Sequence, residues 1–146
     1  MSFRPAQSHS LLGLTVRYTI IAAVTPLGAP NAVAISHDQG STWRATTLAG
    51  GVRIDTFDVV PGHPDRIYLS GSIAGAPLLL RSDDGGATFA EATRNFLGGF
   101  AAYITAVERA RPDVVYVRSN LPSGGTFSRA ASTAARLSSN SRTRRR

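Results

Sequence analysis

The sequence predicts an all-β fold of antiparallel hairpins, and three observations support that prediction. An eight-residue pattern occurs twice, at residues 36–43 and 82–89, with an offset of 46 residues. Apolar or alternating segments of strand length lie on either side of each copy. Turn-forming Gly, Pro and Asp residues separate those segments. The chain is therefore a repeat protein whose unit is a small antiparallel sheet.

The repeated pattern has Ser, Asp, Gly and Thr at alternate positions and ends with an aromatic residue. An Asp in a tight turn accepts hydrogen bonds from backbone N–H groups that the turn leaves unpaired, and this role is predicted for both aspartates. The glycines supply a positive φ, and the threonines are predicted to restart a strand. The aromatic rings are expected to fold under the turn and become buried. Box 1 consists of Ser36, Asp38, Gly40, Thr42 and Trp43, and box 2 of Ser82, Asp84, Gly86, Thr88 and Phe89.

Both copies resemble the Asp-box (BNR) repeat, whose pattern is Ser-x-Asp-x-Gly-x-Thr-Trp, and the resemblance covers residues 15–129. Sialidases, sortilin-type receptors and xyloglucan-degrading hydrolases belong to that family. There the box is the hairpin turn between the third and fourth strands of a β-propeller blade. The resemblance implies an incomplete β-propeller of four-stranded antiparallel blades with Asp-box hairpin turns. It also implies that the box residues are structural and have no catalytic role.

One complete repeat is predicted between the two boxes. A closed propeller needs roughly 4–8 blades, each of four strands. The chain therefore has too few blades to close alone, and we expect a fragment of a larger propeller, either a truncated or frame-shifted gene product or one piece of an assembly. The four predicted strands of the complete repeat are residues 52–61, 67–70, 78–81 and 88–92, with a turn at 61–65.

A third repeat begins after box 2 and loses its box. Pro112-Asp113 repeats Pro64-Asp65 at an offset of 48, but residues 130–137 contain neither Asp nor Gly. The Ser- and Arg-rich end that follows is typical of disordered chain. We therefore divide the chain into an uncertain leader (1–14), a partial propeller of about two to three blades (15–129) and a disordered Arg/Ser-rich tail (130–146).

The net charge of +7 comes mainly from that tail. Residues 1–126 contain 10 Arg and 9 acidic residues, whereas residues 127–146 contain 6 Arg and no acid. The body therefore has no basic face of the kind that binds nucleic acid specifically. Nonspecific, salt-dependent binding of nucleic acid by the tail is the remaining alternative of this class. The chain has no Cys, which excludes disulfides and thiolate metal sites.

The beginning of the chain contains an apolar run at residues 11–24. A strand over residues 15–24 is favoured over a secretory signal peptide, because Arg17 interrupts the run and Pro26 and Pro30 follow it. No apolar stretch reaches the ~20 residues that a membrane span needs. The compartment stays open, although the family resemblance leans towards an extracytoplasmic protein.

The sequence favours a non-catalytic fragment or a binding or scaffold module of an Asp-box propeller protein. Further blades, self-association and a glycan or protein ligand are the partners considered. No catalytic, cofactor-binding or metal-binding residue is assigned, because His9, His37 and His63 lack the spacing of a metal site. The alternative is a piece of a sialidase- or xyloglucanase-like glycoside hydrolase, with most catalytic residues outside this chain. Its candidates on the inner strands are Asp55, Asp58, Tyr103 and Glu108.

Overall fold

The computed structural model describes residues 19–94, 96, 99–123 and 125–132. This part of the chain is all-β, as predicted, and a short 3₁₀ turn at Ala49–Gly51 joins β3 to β4. The strands are β1 (Ile20–Val24), β2 (Ala32–Ser36), β3 (Arg44–Thr47), β4 (Arg53–Val60), β5 (His63–Ile73), β6 (Ala76–Ser82), β7 (Ala90–Thr93), β8 (Ala101–Val107), β9 (Val114–Asn120) and β10 (Thr126–Ser132).

The described strands form three antiparallel sheets, and each of them is open. The N-terminal sheet contains β1, β2 and β3, the central sheet contains β4 to β7, and the C-terminal sheet contains β8, β9 and β10. Strands that follow one another in the sequence are neighbours within every sheet, so each sheet is a series of hairpins. The central sheet has the four strands that the sequence predicts for the complete repeat.

The central sheet lies between the other two because both of its faces are apolar. Side chains alternate along a strand, so Ile67 and Leu69 of β5 lie on one face and Tyr68 on the other. The first face packs against Val33 and Ile35 of the N-terminal sheet, and we name this cluster the first core. The second face forms the second core with residues of the C-terminal sheet, namely Ala102, Val115 and Val117.

The turn between β4 and β5 is shorter than the predicted turn at 61–65, and that prediction was wrong. Val60 pairs with His63, so only Pro61 and Gly62 lie outside the strands. Gly62 has a φ of 86°, which glycine adopts without strain. Pro64 is accommodated near the start of β5, because the fixed φ of proline is compatible with extended backbone.

The ends of the described chain also differ from the predicted boundaries. β1 begins at Ile20, while residues 15–18 of the predicted strand and the leader at 1–14 lie outside the described residues. β10 continues to Ser132 and pairs with β9 over its whole length. Ala130 to Ser132 therefore belong to a strand and not to a disordered tail. The rest of the predicted tail, from residue 133, lies outside the described residues.

Candidate functional site

Box 1 connects β2 to β3 through a turn closed by the side chains of Ser36 and Asp38. The Gly40 N–H donates to Ser36 Oγ at 2.8 Å, and the Ser36 hydroxyl donates to Asp38 Oδ1 at 2.8 Å. Thr42 donates its N–H to Asp38 Oδ1 at 2.8 Å and its hydroxyl to Oδ2 at 2.6 Å. The carboxylate therefore satisfies donors that the turn leaves unpaired, as predicted.

Box 2 connects β6 to β7 and repeats this hydrogen-bond set residue by residue. The Gly86 N–H donates to Ser82 Oγ at 2.8 Å, and the Ser82 hydroxyl donates to Asp84 Oδ1 at 2.7 Å. Thr88 donates its N–H and its hydroxyl to the two Asp84 oxygens, at 2.9 and 2.6 Å. In both boxes the threonine closes the turn and the next strand begins two residues later. The prediction that Thr42 and Thr88 restart a strand was therefore wrong.

The hydrogen bonds of the turns stabilise the charged form of both aspartates. Those from the Thr42 hydroxyl and N–H, followed by that from Ser36, lower the pKa of Asp38 to about 2. The equivalent donors, Thr88 and Ser82, lower the pKa of Asp84 to about 2. A carboxylate with such a low pKa is a poor proton acceptor at neutral pH. Neither aspartate is therefore suited to general acid–base chemistry.

The aromatic residues that end the two boxes do not have the buried positions predicted for them. Trp43 is 48% exposed, and its Nε1–H donates to the Gly40 carbonyl oxygen at 3.1 Å. Phe89 is half-buried and packs against the first core. The prediction was therefore wrong for Trp43, whose ring lies over its own turn, and held only in part for Phe89.

Box 2 is in contact with the neighbouring N-terminal sheet. A Cβ placed on Gly86 would lie 1.7 Å from Ile35 Cδ1 of β2, so this glycine lies directly under the isoleucine. The Thr46 hydroxyl donates to the Gly86 carbonyl oxygen at 2.6 Å, and His37 Nε2 lies 3.3 Å from that of Gly85. Box 2 therefore forms part of the contact between the N-terminal and central sheets.

Ion pairs cross the contact between the central and C-terminal sheets. Arg66 binds Asp83 at 2.7 Å and Asp113 at 2.8 Å, and Arg81 binds Asp83 at 2.6 Å. Burial acts to raise the pKa of Asp83, but the hydrogen bonds from Arg81 and Arg66 outweigh it and hold the pKa below its usual range. Tyr68 adds a hydrogen bond from its hydroxyl to the Pro112 carbonyl oxygen at 2.8 Å. These contacts fix the turn between β8 and β9 against the central sheet.

Asp55, one of the residues that the sequence suggested for a cleft, lies on β4 and is almost completely buried. It occupies a bulge of β4, where Ile54 pairs with Gly71 and Thr56 pairs with Ser70. Its side chain is 6% exposed, Oδ1 lies 2.8 Å from the Arg53 guanidinium, and Oδ2 has no hydrogen-bond partner. Burial raises the pKa of Asp55, and the charge of Arg53 offsets this only in part.

The other residues that the sequence suggested for a cleft are divided between the central and C-terminal sheets. Asp58 lies on β4, Tyr103 on β8, and Glu108 directly after β8. Glu108 is bound by Arg111 at 2.7 Å, and Arg118 lies 5.2 Å from the centre of the Tyr103 ring. Of the histidines, His63 begins β5 and His9 lies outside the described residues. No group of three or more metal-binding side chains occurs among the residues that the structure describes.

A cleft of about 480 Å³ opens between the N-terminal and central sheets. Its wall is mainly apolar, and Arg94 lies on it with its Nε–H bound to Glu91. No sequence pattern predicts this cleft, because its size depends on how far the two sheets separate. The apolar residues that line it include Leu48, Val52, Ile73, Leu78, Leu80 and Phe89.

No model of a known protein family matches the chain, and no curated protein is significantly similar to it. Within the described ranges, no helix has the length and apolar character needed to cross a membrane. The geometry of the sheets and of the boxes is therefore the basis for any functional proposal.

Proposed function

We propose that the chain forms blades of an Asp-box β-propeller and acts as a non-catalytic binding or scaffold module. The observation that carries this proposal is the position of box 2. A turn with the hydrogen bonds of box 1 recurs one sheet further along, and there it packs under Ile35 of the preceding sheet. Propellers repeat such a sheet-on-sheet contact around an axis. The three stacked sheets correspond to successive blades in this proposal.

The engagement of the acidic side chains supports a non-catalytic role. Of the 9 acidic residues, 7 are held by a turn or by an arginine. A catalytic pair of carboxyl groups requires two such groups that flank a substrate and differ in pKa. Asp55 has a raised pKa, but its carboxyl group contacts an arginine and is almost completely buried. This arrangement is expected of a structural group.

The glycoside hydrolase alternative rests on the same aspartate. A buried carboxyl group with a raised pKa is a common feature of general acids in glycosidases. Asp55 also lies on β4, the strand at the edge of the central sheet. If further blades supplied a second carboxylate across a cleft, Asp55 would be the proton donor.

A panel of aryl glycosides, including sialosides and xyloglucan-derived glycosides, separates the two functions. We expect the full chain to release no more aryl alcohol than buffer does, with Asp55→Asn as the matched variant. Asparagine keeps the size of the side chain and removes the titratable proton. Turnover by the parent chain that disappears in Asp55→Asn would overturn the non-catalytic proposal and establish the alternative.

A further inference from the structure

Ile20, on the outer face of the N-terminal sheet, corresponds to a buried residue of the central sheet. Ile20 pairs with Ser36, the first residue of box 1, just as Ile67 pairs with Ser82, the first residue of box 2. Ile67 is completely buried in the first core, whereas Ile20 is 40% exposed. The exposed residue therefore occupies a position at which the next repeat makes a sheet-on-sheet contact.

The C-terminal sheet presents a second exposed residue of this kind. Tyr116 follows Tyr68 by 48 residues. Tyr116 pairs with Ala106 of the first strand of its sheet, and Tyr68 pairs with Asp58 of the first strand of the central sheet. Tyr68 is completely buried in the second core, but Tyr116 is 39% exposed. Tyr116 is therefore the counterpart of a residue that fastens one sheet to the next.

The two exposed residues lie on opposite ends of the stack. Ile67 faces the N-terminal sheet and Tyr68 faces the C-terminal sheet. By the same alternation, Ile20 faces away from the central sheet at one end, and Tyr116 faces away from it at the other. The stack thus has two different ends. The Ile20 face is equivalent to the face of the central sheet that packs on the N-terminal sheet, and the Tyr116 face is equivalent to the face that packs on the C-terminal sheet.

The end face that carries Ile20 has smaller side chains than the equivalent face of the central sheet. In the central sheet the face that carries Ile67 is filled by the paired residues Leu69 and Leu80. In the N-terminal sheet the equivalent pair is Ala22 and Ala34, which leaves more space beside Ile20. A bulky ring such as that of Tyr116 fits against a face of small residues, because large and small side chains interdigitate in packed layers.

We propose that a second copy of this chain docks head to tail, with the Tyr116 face of one copy on the Ile20 face of the next. This contact would continue the order of sheets found within the chain. It is heterologous, so repetition either closes a ring or extends into a filament. The purpose of this assembly rests on the proposed function, whereas the contact itself follows from the registers and exposures of the two end faces.

The single tryptophan of the chain is placed to report this contact. A Cβ on Gly40 would lie 3.8 Å from the Trp43 ring and 3.9 Å from Ile20 Cδ1, so the indole and the isoleucine share one surface. Docking of a second copy would shield the indole from water. The fluorescence emission should therefore shift to shorter wavelength as the concentration of the chain rises.

Sedimentation velocity of the full chain over a range of concentrations tests the association. We expect oligomers for the parent and a dissociation constant raised on the order of a hundredfold by Ile20→Asp or Tyr116→Asp, because either change places an unpaired charge in the contact. Leu27→Asp is the matched control. Leu27 is a fully exposed apolar residue that lies in the turn between β1 and β2. This control should associate like the parent.

Mixing the two variants tests the head-to-tail arrangement. Ile20→Asp retains an intact Tyr116 face, and Tyr116→Asp retains an intact Ile20 face. An equimolar mixture should therefore form a dimer that contains one copy of each and does not grow, while neither variant associates alone. Circular dichroism establishes that each variant is folded. Ile20→Ser and Tyr116→Ser serve the same scheme if an aspartate prevents folding.

A parent chain that stays monomeric at every concentration would overturn the proposal. Variants that associate as the parent does, or a mixture of folded variants that fails to dimerise, would also overturn it. Loss of association in Leu27→Asp would point to nonspecific apolar aggregation and likewise count against it. These outcomes are independent of the glycoside assay. A monomeric chain without hydrolytic activity would contradict the assembly and agree with the proposed function. An oligomer that hydrolyses glycosides would agree with the assembly and contradict the proposed function.

Discussion

Box 1 and box 2 have the same internal hydrogen bonds and different surroundings. In each, a serine hydroxyl and an aspartate carboxylate close the turn with distances that agree within about 0.1 Å. Box 2 lies under Ile35 of the neighbouring sheet, whereas box 1 has only Trp43 and Ile20 beside its glycine. The local sequence thus determines the conformation of the turn, and the neighbouring sheet determines how costly a change in it will be.

The glycines of the two boxes should differ most in their tolerance of substitution. Gly40 and Gly86 both have a positive φ, of 87° and 84°. Gly40→Ala should cost about 1–2 kcal/mol for the left-handed conformation alone. Gly86→Ala should cost about 2–5 kcal/mol, because its new methyl group would also collide with Ile35. Urea denaturation of both variants measures the difference in the free energy of unfolding.

A double variant identifies the origin of that difference. Ile35→Ala removes the side chain that the new methyl group would meet, so Gly86→Ala should cost less in the Ile35→Ala background than in the parent. Gly40→Ala combined with Ile35→Ala provides the control and should be additive. Equal costs for the two glycine variants in the parent chain would contradict the contact between box 2 and β2.

The aromatic residues of the two boxes should show a smaller difference in the same direction. Phe89→Ala should cost about 2 kcal/mol, because a half-buried ring leaves the edge of the first core. Trp43→Ala should cost about 1 kcal/mol, since the indole is 48% exposed and packs mainly on its own turn. Chemical denaturation checks both values. A larger cost for Trp43→Ala would mean that the indole is buried in solution.

The two boxes should contribute equally to the pH dependence of stability, although substitution of their glycines should have unequal costs. The folded pKa of about 2 lies below the ordinary value of 3.8 in both, so each aspartate contributes stability above pH 3.8 that is lost as the pH falls towards 2. Asp38→Asn and Asp84→Asn should each flatten this acid limb to the same extent. Thermal unfolding between pH 2 and 5 measures it, and unequal slopes would separate the two turns.

Asp55 should act in the opposite sense to the box aspartates. Its folded pKa is raised above 3.8, so the stability that it contributes is present below pH 3.8 and is lost as the pH rises through the folded pKa. Asp55→Asn should therefore be more stable than the parent at pH 7 and no more stable at pH 3. Melting curves at the two pH values provide the check. A variant that is less stable at pH 7 would show that the ion pair with Arg53 outweighs burial.

The smallest expected effect concerns the residue before each box glycine. Gln39 has a φ of 60°, and Gly85 occupies the equivalent position with a φ of 66°. Only glycine adopts this conformation without strain, so Gln39→Gly should stabilise the chain by about 0.5–1 kcal/mol. Differential scanning calorimetry is sensitive enough to detect it. A lower melting temperature would mean that the glutamine side chain has contacts that offset the strain.

The all-β class, the two hairpins and the four strands of the central sheet could be predicted, because box chemistry and apolar alternation are local properties. The exposure of Trp43 could not be predicted from the sequence, since it depends on which sheet lies next to box 1. The contact of Ile35 with Gly86 joins residues that are far apart in sequence and is set by the packing of two sheets. The buried state of Asp55 depends on a bulge, which leaves no pattern in the sequence.

Alternate residues of β5 belong to different cores, and this has a consequence for how the molecule opens. Ile67 and Leu69 serve the first core, and Tyr68 between them serves the second. Either outer sheet can detach while β5 remains held on its other face, as in chains where each unit contacts only its neighbours. Amide hydrogen exchange should therefore be slowest in β5 and its partner β6, with the two outer sheets exchanging through separate, smaller openings.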